Sequence, residues 1–506
     1  MNQKIIIVAV VAVVVVIIAA AAVLMLNKGG SDDTIDEYPD TYLTVLGNAN
    51  HDLVIDQKDV NAIQSFINNK VDEKSGYKWT DYYLYDANFD KKIDQSDIDV
   101  VKAMISAQKS GNWSACQYVY YLNVDKQIAK YDMTINNKVI TLIAPPLDTV
   151  LAMNGADLVV GTDNRITTGK YHQEYETALN FDKLYDVGSC NEPDTEVITN
   201  AAKEYGGVNV VCGQSASYGS TMEKTFASTN VQVIRIGSWE YGTTLYGFHT
   251  LAFLLKKVDD SKAYYEGYME IANHVDNIVN SVDPSKRSAG KVGAAAAYGY
   301  LDELSLLGML TGEYANLMVL DPYDSAEDYL GGKESGGHGN TITTEGIVAM
   351  YQQDHLKNLL LMIGTPFQIS TKTESGDAQS SQANMVNMYN KWGERIGAED
   401  LPGLNVCITG YSFSSGVSEV LNRLIHCYWL YNEEFLAYFN CTTQKQAQDV
   451  IAGYVDWYCE SINIDEKWSF YGEEHGGPMG TYGMNLLYAG EDDVRNIMYG
   501  LEGGVV

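Results

Sequence analysis

Two twelve-residue stretches set oxygen-bearing side chains in the same register, and no other feature constrains local structure so tightly. The first places Asn48, Asn50, Asp52, Asp56 and Asp59 at positions 1, 3, 5, 9 and 12; the second places Asp86, Asn88, Asp90, Asp94 and Asp97 there. This spacing wraps the chain round a hard cation that takes roughly six to eight oxygens, with the position-7 carbonyls of Val54 and Lys92 completing each set. Calcium at both loops is the expectation. Each loop runs into an amphipathic stretch, Val60 to Ile67 and Ile98 to Ala107, as a loop-helix unit requires. Position 6, where glycine would supply a left-handed backbone, is Leu53 in one loop and Lys91 in the other, which would weaken cation affinity.

The doubled loop-helix, with Asp at position 12 and no entering helix before the first loop, resembles the dockerin module of extracellular scaffolding systems over about residues 40–112. The resemblance implies a small all-α module of EF-hand type and a cohesin-like protein partner. Positions 10 and 11 of each loop would face that partner: Gln57 and Lys58, then Gln95 and Ser96.

The chain has 506 residues, 46% hydrophobic and 20% charged, which is a globular balance with room for several domains. A net charge of −32 argues against nucleic acid or an anionic membrane surface as ligands. Ile5 to Leu26 carries no charge and is long enough to cross a hydrocarbon core. Residues 1–28 therefore read as a transmembrane anchor or signal. Length favours a single retained pass at the cell membrane, while Ala19 to Ala22 leaves cleavage open. Lys4 before the run, with Asp32, Asp33 and Asp36 after it, would put the bulk of the chain outside. Seven cysteines lack metal-ligand spacing; Cys441 with Cys459 is the best local bridge, and buried reduced thiols are the alternative.

Beyond Lys138 short β-branched runs alternate with helical stretches. Val139 to Ile143, Leu158 to Val160, Val208 to Val211 and Val231 to Ile236 read as strands of a parallel sheet flanked by helices, one α/β lobe over 132–258. A helix over 261–282 follows, with a 3.6-residue period through Tyr264, Tyr268, Ile271, His274, Val275, Ile278 and Val282. At about 33 Å it would link two lobes, within a linking segment of 259–285. A second α/β lobe over 286–440 is expected from Lys291 to Tyr298, Leu317 to Val319, Leu359 to Ile363 and Leu404 to Thr409. Residues 441–506 form an extension without assignable chemistry.

Val139 to Asp163, with its Pro145-Pro146 turn and Asn154-Gly155-Ala156-Asp157 turn, looks like the first strand, helix and second strand of ABC-transporter substrate-binding proteins of the siderophore, haem and cobalamin class. That resemblance, over about Asp132 to Tyr438, implies two α/β lobes with a ligand cleft bridged by a long helix. It also implies capture of a metal chelate and delivery to an ABC permease. Surface acids before strands dock on the permease in that family, and Glu196 and Glu345 occupy the matching positions.

Ligands of open α/β sheets sit beyond the carboxyl ends of strands. The loops there hold Pro146, Arg165, Tyr171, Trp239 and Tyr241 from the first lobe and Tyr298, Tyr300, Phe367, Tyr411 and Phe413 from the second. Flat aromatic walls with a cation suit a large planar or amphipathic chelate bearing carboxylates. Arg165 is the leading polar candidate because guanidinium grips carboxylate bidentately. No catalytic constellation stands out: the eight histidines are scattered, and the serine-rich stretch at Ser412 to Ser415 lacks the nucleophile-elbow register. Binding is thus the leading reading, a calcium-dependent surface-assembly protein the second, and an extracellular enzyme on the same frame the third.

Overall fold

The computed structural model describes residues 35, 37–169, 172–213, 221–238, 243–288, 349, 351–354 and 416–465. It also gives the backbone of strands at 292–297, 305–309, 313–314, 318–319, 358–363 and 405–410. The chain divides into two compact units at Thr134/Ile135.

In the N-terminal unit both acid loops feed helices, α1 (Gln57–Asn68) and α2 (Gln95–Ser110). Asp56 and Asp94 are the N-caps, each in an extended conformation and each closing a capping box with Asp59 or Asp97. Val60, Ile63 and Phe66 of α1, and Ile98, Val101 and Met104 of α2, form the buried stripes. Every element described between 40 and 112 is helical, and the compact unit extends beyond that span. An antiparallel hairpin, β1 (Tyr118–Leu122) with β2 (Ile128–Asp132), belongs to it. Backbone bonds from Leu46 to Tyr120 and from Leu122 to Thr44 tie the segment before the first loop to β1.

The second unit begins with a five-stranded all-parallel sheet. Its strands are β3 (Val139–Leu142), β4 (Val159–Thr162), β5 (Tyr185–Asp186), β6 (Val208–Cys212) and β7 (Val231–Arg235), in the order β5-β4-β3-β6-β7. Every residue of β3, β4 and β6 is buried, as a sheet covered on both faces demands. Intervening helices are α3 (Ala144–Ala152), α4 (Asn164–Thr167), α5 (Thr195–Tyr205) and α6 (Met222–Phe226). The two-residue edge strand β5 was not legible in the sequence.

α7 (Thr244–Leu254) leads to α8 (Lys262–Ser281), one residue shorter at each end than the expected linking helix. Its buried residues include Tyr264, Tyr268, Ile271, Val275 and Ile278; each such fully buried apolar side chain contributes roughly 1.5–3 kcal/mol. His274 departs from the expected stripe. It is partly exposed and meets the Tyr438 hydroxyl at 2.9 Å.

After α9 (Pro284–Ser288) comes a four-stranded sheet of β8 (Val292–Ala297), β9 (Ser305–Met309), β12 (Asn358–Ile363) and β13 (Asn405–Gly410), in the order β13-β12-β8-β9. β8, β12 and β13 run parallel and β9 antiparallel. β10 (Glu313–Tyr314) and β11 (Met318–Val319) form a separate hairpin, so Leu317 to Val319 does not join this sheet.

Three helices close the described chain: α10 (Glu419–Leu430), α11 (Asn432–Tyr438) and α12 (Gln444–Ile462). Buried Glu419 on α10 accepts from Tyr268 of α8 at 2.7 Å and from Thr244 of α7 at 2.9 Å, fixing three helices at one carboxylate. α12 packs on α10 and α11, meets α8 through Trp457 against Tyr264, and reaches α3 of the first lobe. A Cβ on Gly267 of α8 would collide with the Trp457 indole, so glycine is what lets α12 come this close.

Two further expectations are corrected. Cys441 and Cys459 are not bridged by a disulfide; Cys459 is buried and Cys441 only partly so, with Cys441 Sγ near the Phe439 carbonyl at 3.8 Å. Among the described residues no helix is long and apolar enough to cross a membrane, so the single-pass location is withdrawn. Ile5 to Leu26, from which it was read, lies outside the described residues.

Candidate functional site

The order β5-β4-β3-β6-β7 reverses direction between β3 and β6, which makes the crevice beyond the carboxyl ends of those two strands the favoured ligand position. The chain leaves β3 through Ile143, whose φ is 76°. A β-branched residue avoids this region, so the strain is held in place by its surroundings. The holder is Asp163, just past β4, whose carboxylate accepts from Ile143 N at 2.7 Å. Asp163 is fully buried and also accepts from Arg165 N at 3.1 Å and Arg165 Nε at 3.0 Å. One carboxylate therefore positions the end of β3 and the guanidinium expected to meet ligand. Arg165 is paired, not isolated; its side chain remains 35% exposed, which leaves part of it accessible. Arg165 Nη2 also lies 2.7 Å from Cys190 Sγ.

Pro146, in the first turn of α3, is buried at the crevice. A Cβ on Gly213, which follows β6, would fall 2.9 Å from Pro146 Cγ and collide with Ser238 Oγ. Ser238 follows β7, is fully buried, and its hydroxyl has no hydrogen-bond partner. An unpartnered buried hydroxyl costs roughly 1–3 kcal/mol. Sequence reading passed over Ser238; its position two residues beyond Ile236, at the carboxyl end of a parallel strand, was the signal. Gly416 closes against Pro145 from the opposite side, where a Cβ would meet Pro145 Cβ at 3.2 Å. Tyr171, Trp239, Tyr241, Tyr298, Tyr300, Phe367, Tyr411, Phe413 and Glu345 lie outside the described residues. Glu196 is exposed in the first turn of α5, beside the capping Asp194.

The acid loops repeat one hydrogen-bond scheme. Asn50 N donates to Asp59 Oδ1 at 3.1 Å and Asn88 N to Asp97 Oδ1 at 3.3 Å. Asp56 N and Asp94 N donate to the second oxygens at 2.8 and 2.9 Å. Val54 N and Lys92 N donate to Asp52 and Asp90 at 3.0 and 2.9 Å. Burial pushes the Asp59 carboxyl up to about 6 and Asp97 up to about 7, against the backbone donors that pull both down.

The loops differ at positions 1 and 6. Asp86 accepts from Trp79 Nε1, Asp90 N and Lys91 N at 2.8, 3.1 and 2.9 Å. Asn48 Nδ2 donates to Leu43 O at 2.8 Å and Asp52 O at 2.7 Å, while its buried Oδ1 has no partner. Lys91 takes φ 69°, the left-handed backbone expected of position 6, without glycine; Leu53 does not. Gln57, Lys58, Gln95 and Ser96 are all exposed at the starts of α1 and α2. Among the described residues no three His, Cys, Asp or Glu side chains converge as a ready metal centre. The all-oxygen donor set and the orphaned Asn48 oxygen nevertheless fit a hard cation. A cavity of about 410 Å³ in the same unit, with Asp40, His51 and Asp81 in its lining, includes none of the expected ligands.

No protein-family model matches the chain, and no curated protein matches it. Among solved structures, the chain is similar to the petrobactin-binding protein YclQ of Bacillus subtilis, at 14% identity and TM-score 0.41 over 63% of this chain and 98% of that one. A TroA-like periplasmic binding protein FepB from Veillonella parvula aligns at 12% identity and TM-score 0.45, over 68% and 95% of the respective chains. A periplasmic heme-binding protein from Pseudomonas aeruginosa aligns at 11% identity and TM-score 0.34, over 58% and 93%.

Proposed function

We propose that the second unit is the solute-binding component of an ABC importer, taking a metal chelate into the crevice beyond β3 and β6. One observation carries the reading most: at the topological switch point, Asp163 holds both the strained exit of β3 and the Arg165 guanidinium. Nearby, the buried Ser238 hydroxyl lacks any partner. Arg165 would receive a carboxylate or other anionic group of the chelate, and Ser238 would donate to a ligand oxygen. The aromatic residues placed by sequence at the other strand ends, Trp239 and Tyr241 among them, would supply flat walls. Glu196, with Glu345 from the second lobe, would dock on permease arginines. The fluorescence of the full chain should be quenched saturably by haemin, a ferric catecholate siderophore or cobalamin, and the response should weaken in Trp239→Ala. Silence toward all three chelates would sink the reading.

A second activity is supported for the N-terminal unit, by the orphaned Asn48 oxygen and the repeated loop scheme. The two loops would hold calcium through Asn48, Asn50, Asp52, Asp56 and Asp59, and through Asp86, Asn88, Asp90, Asp94 and Asp97. Val54 and Lys92 would add carbonyls. Gln57, Lys58, Gln95 and Ser96 would then face a cohesin-like partner. Calorimetry with calcium checks this directly; no heat at either loop would remove it.

A further inference from the structure

α12 ends against the first lobe at a small enclosed acidic cluster. Tyr175 OH donates to Asp148 Oδ1 at 2.7 Å and Tyr458 OH, from α12, donates to Asp148 Oδ2 at 3.2 Å. Beside them Glu174 is 4% exposed, and its Oε2 has no hydrogen-bond partner. Three more bonds complete the join: Asp465 N to Glu174 O at 3.1 Å, Thr177 Oγ1 to Asn463 O at 2.7 Å, and Asn463 Nδ2 to Thr177 O at 2.7 Å.

Two carboxyls thus share one enclosed space without a counter-charge. Asp148 is the one titratable residue of α3. Glu174 and Tyr175 face it from 173–175, Tyr458 from α12, with the Cys459 thiol and Asp465 following on the same segment. Neither Asp148 nor Glu174 has a salt-bridge partner among the described residues. Like charges held this way cannot both ionise cheaply, and a proton is the simplest way to relieve them.

We propose that Asp148, Glu174, Tyr175 and Tyr458 form a proton-operated latch: α12 stays docked on the first lobe while the carboxyl pair keeps a proton, and loosens when both ionise. The latch stands whether or not the crevice takes a chelate. Asp148 lies two residues after Pro146, so the state of the latch also reaches the turn that lines the crevice.

The direction follows from burial. Enclosure pushes Asp148 up to about 7, although by surface area that residue is only partly buried, and it pushes the deeper Glu174 well above the ordinary carboxylate range. Both shifts are upward, so the docked state binds protons that the undocked state releases. Docking is fully stabilised below the ordinary carboxylate range, and that stabilisation is lost progressively from there up to about pH 7, where Asp148 ionises in the docked state.

Hydrogen exchange on the full chain, corrected for the intrinsic pH dependence, tests this. Peptides within 444–465 should lose protection by about tenfold per pH unit between about pH 4.5 and about pH 7, while α5 stays unchanged. Glu174→Gln and Asp148→Asn, which remove the ionisation and keep the shape, should each flatten that slope. Protection of 444–465 that ignores pH in the unaltered chain would overturn the latch without recourse to a variant. So would an unchanged slope in both variants.

Discussion

In the N-terminal unit carboxylates are gathered on backbone N–H groups and kept in pairs of similar loops; at the carboxyl ends of β3 and β4 one buried carboxylate, Asp163, is spent on orienting a guanidinium. The first arrangement leaves negative charge available to a cation from outside. The second leaves positive charge available to an anion. On the proposed reading the same side-chain type would serve opposite ligands, depending on whether its partner is a dipole of the backbone or a full charge of a neighbouring side chain.

The comparison breaks most visibly at Asp163. Asp163→Ala leaves Ile143 N and the Arg165 guanidinium without their acceptor, and about 2–4 kcal/mol of stability should go, read by urea unfolding. Arg165→Ala strips the buried Asp163 carboxylate of its counter-charge but leaves its backbone donors in place, so it should cost less than Asp163→Ala, about 1–2 kcal/mol. Equal unfolding midpoints for the two variants would mean that Asp163 does not hold the strand end. Next in size is the cation. Calcium at about 100 times its Kd should stabilise the N-terminal unit by about 2.7 kcal/mol, an effect removed by chelator and by Asp59→Asn with Asp97→Asn. A melting curve indifferent to calcium would leave the loops as self-satisfied turns. The smallest effect separates one loop from the other. Lys58 Nζ lies 3.1 Å from Asp52 and 3.9 Å from Asp56, a local cation that the second loop replaces with Ser96. Lys58→Ala should tighten calcium at the first loop by a few-fold and leave the second alone, as site-resolved NMR titration would report.

Strand and helix identities were legible where local chemistry dictates them. The β-branched run at β3, the amphipathic stretches from Val60 and Ile98 that fall within α1 and α2, and the periodic stripe of α8 each carry their own signal. Arg165 was legible because a strand-end loop is where an α/β sheet puts ligands. What was hidden depends on contacts far apart in sequence. Asp163 looked like an ordinary loop acid, and only folding brings Ile143, a separate strand's end, to its second oxygen. Ser238 gains its interest from burial and the lack of a partner, neither of which a sequence can express. The return of α12 to the first lobe rests on Tyr458 meeting Asp148, 310 positions earlier. The β1–β2 hairpin was passed over for a different reason: five-residue strands carry too little pattern to stand out on their own.

The account stands on an anionic ligand group meeting the guanidinium that Asp163 holds. Isothermal titration of the unaltered chain and of Arg165→Ala with a ferric catecholate chelate is the direct measurement. A loss of affinity of at least about tenfold in the variant, with folding intact, is the predicted result, in keeping with a charge-assisted pair. Binding of equal strength in both chains, or in neither, would contradict it.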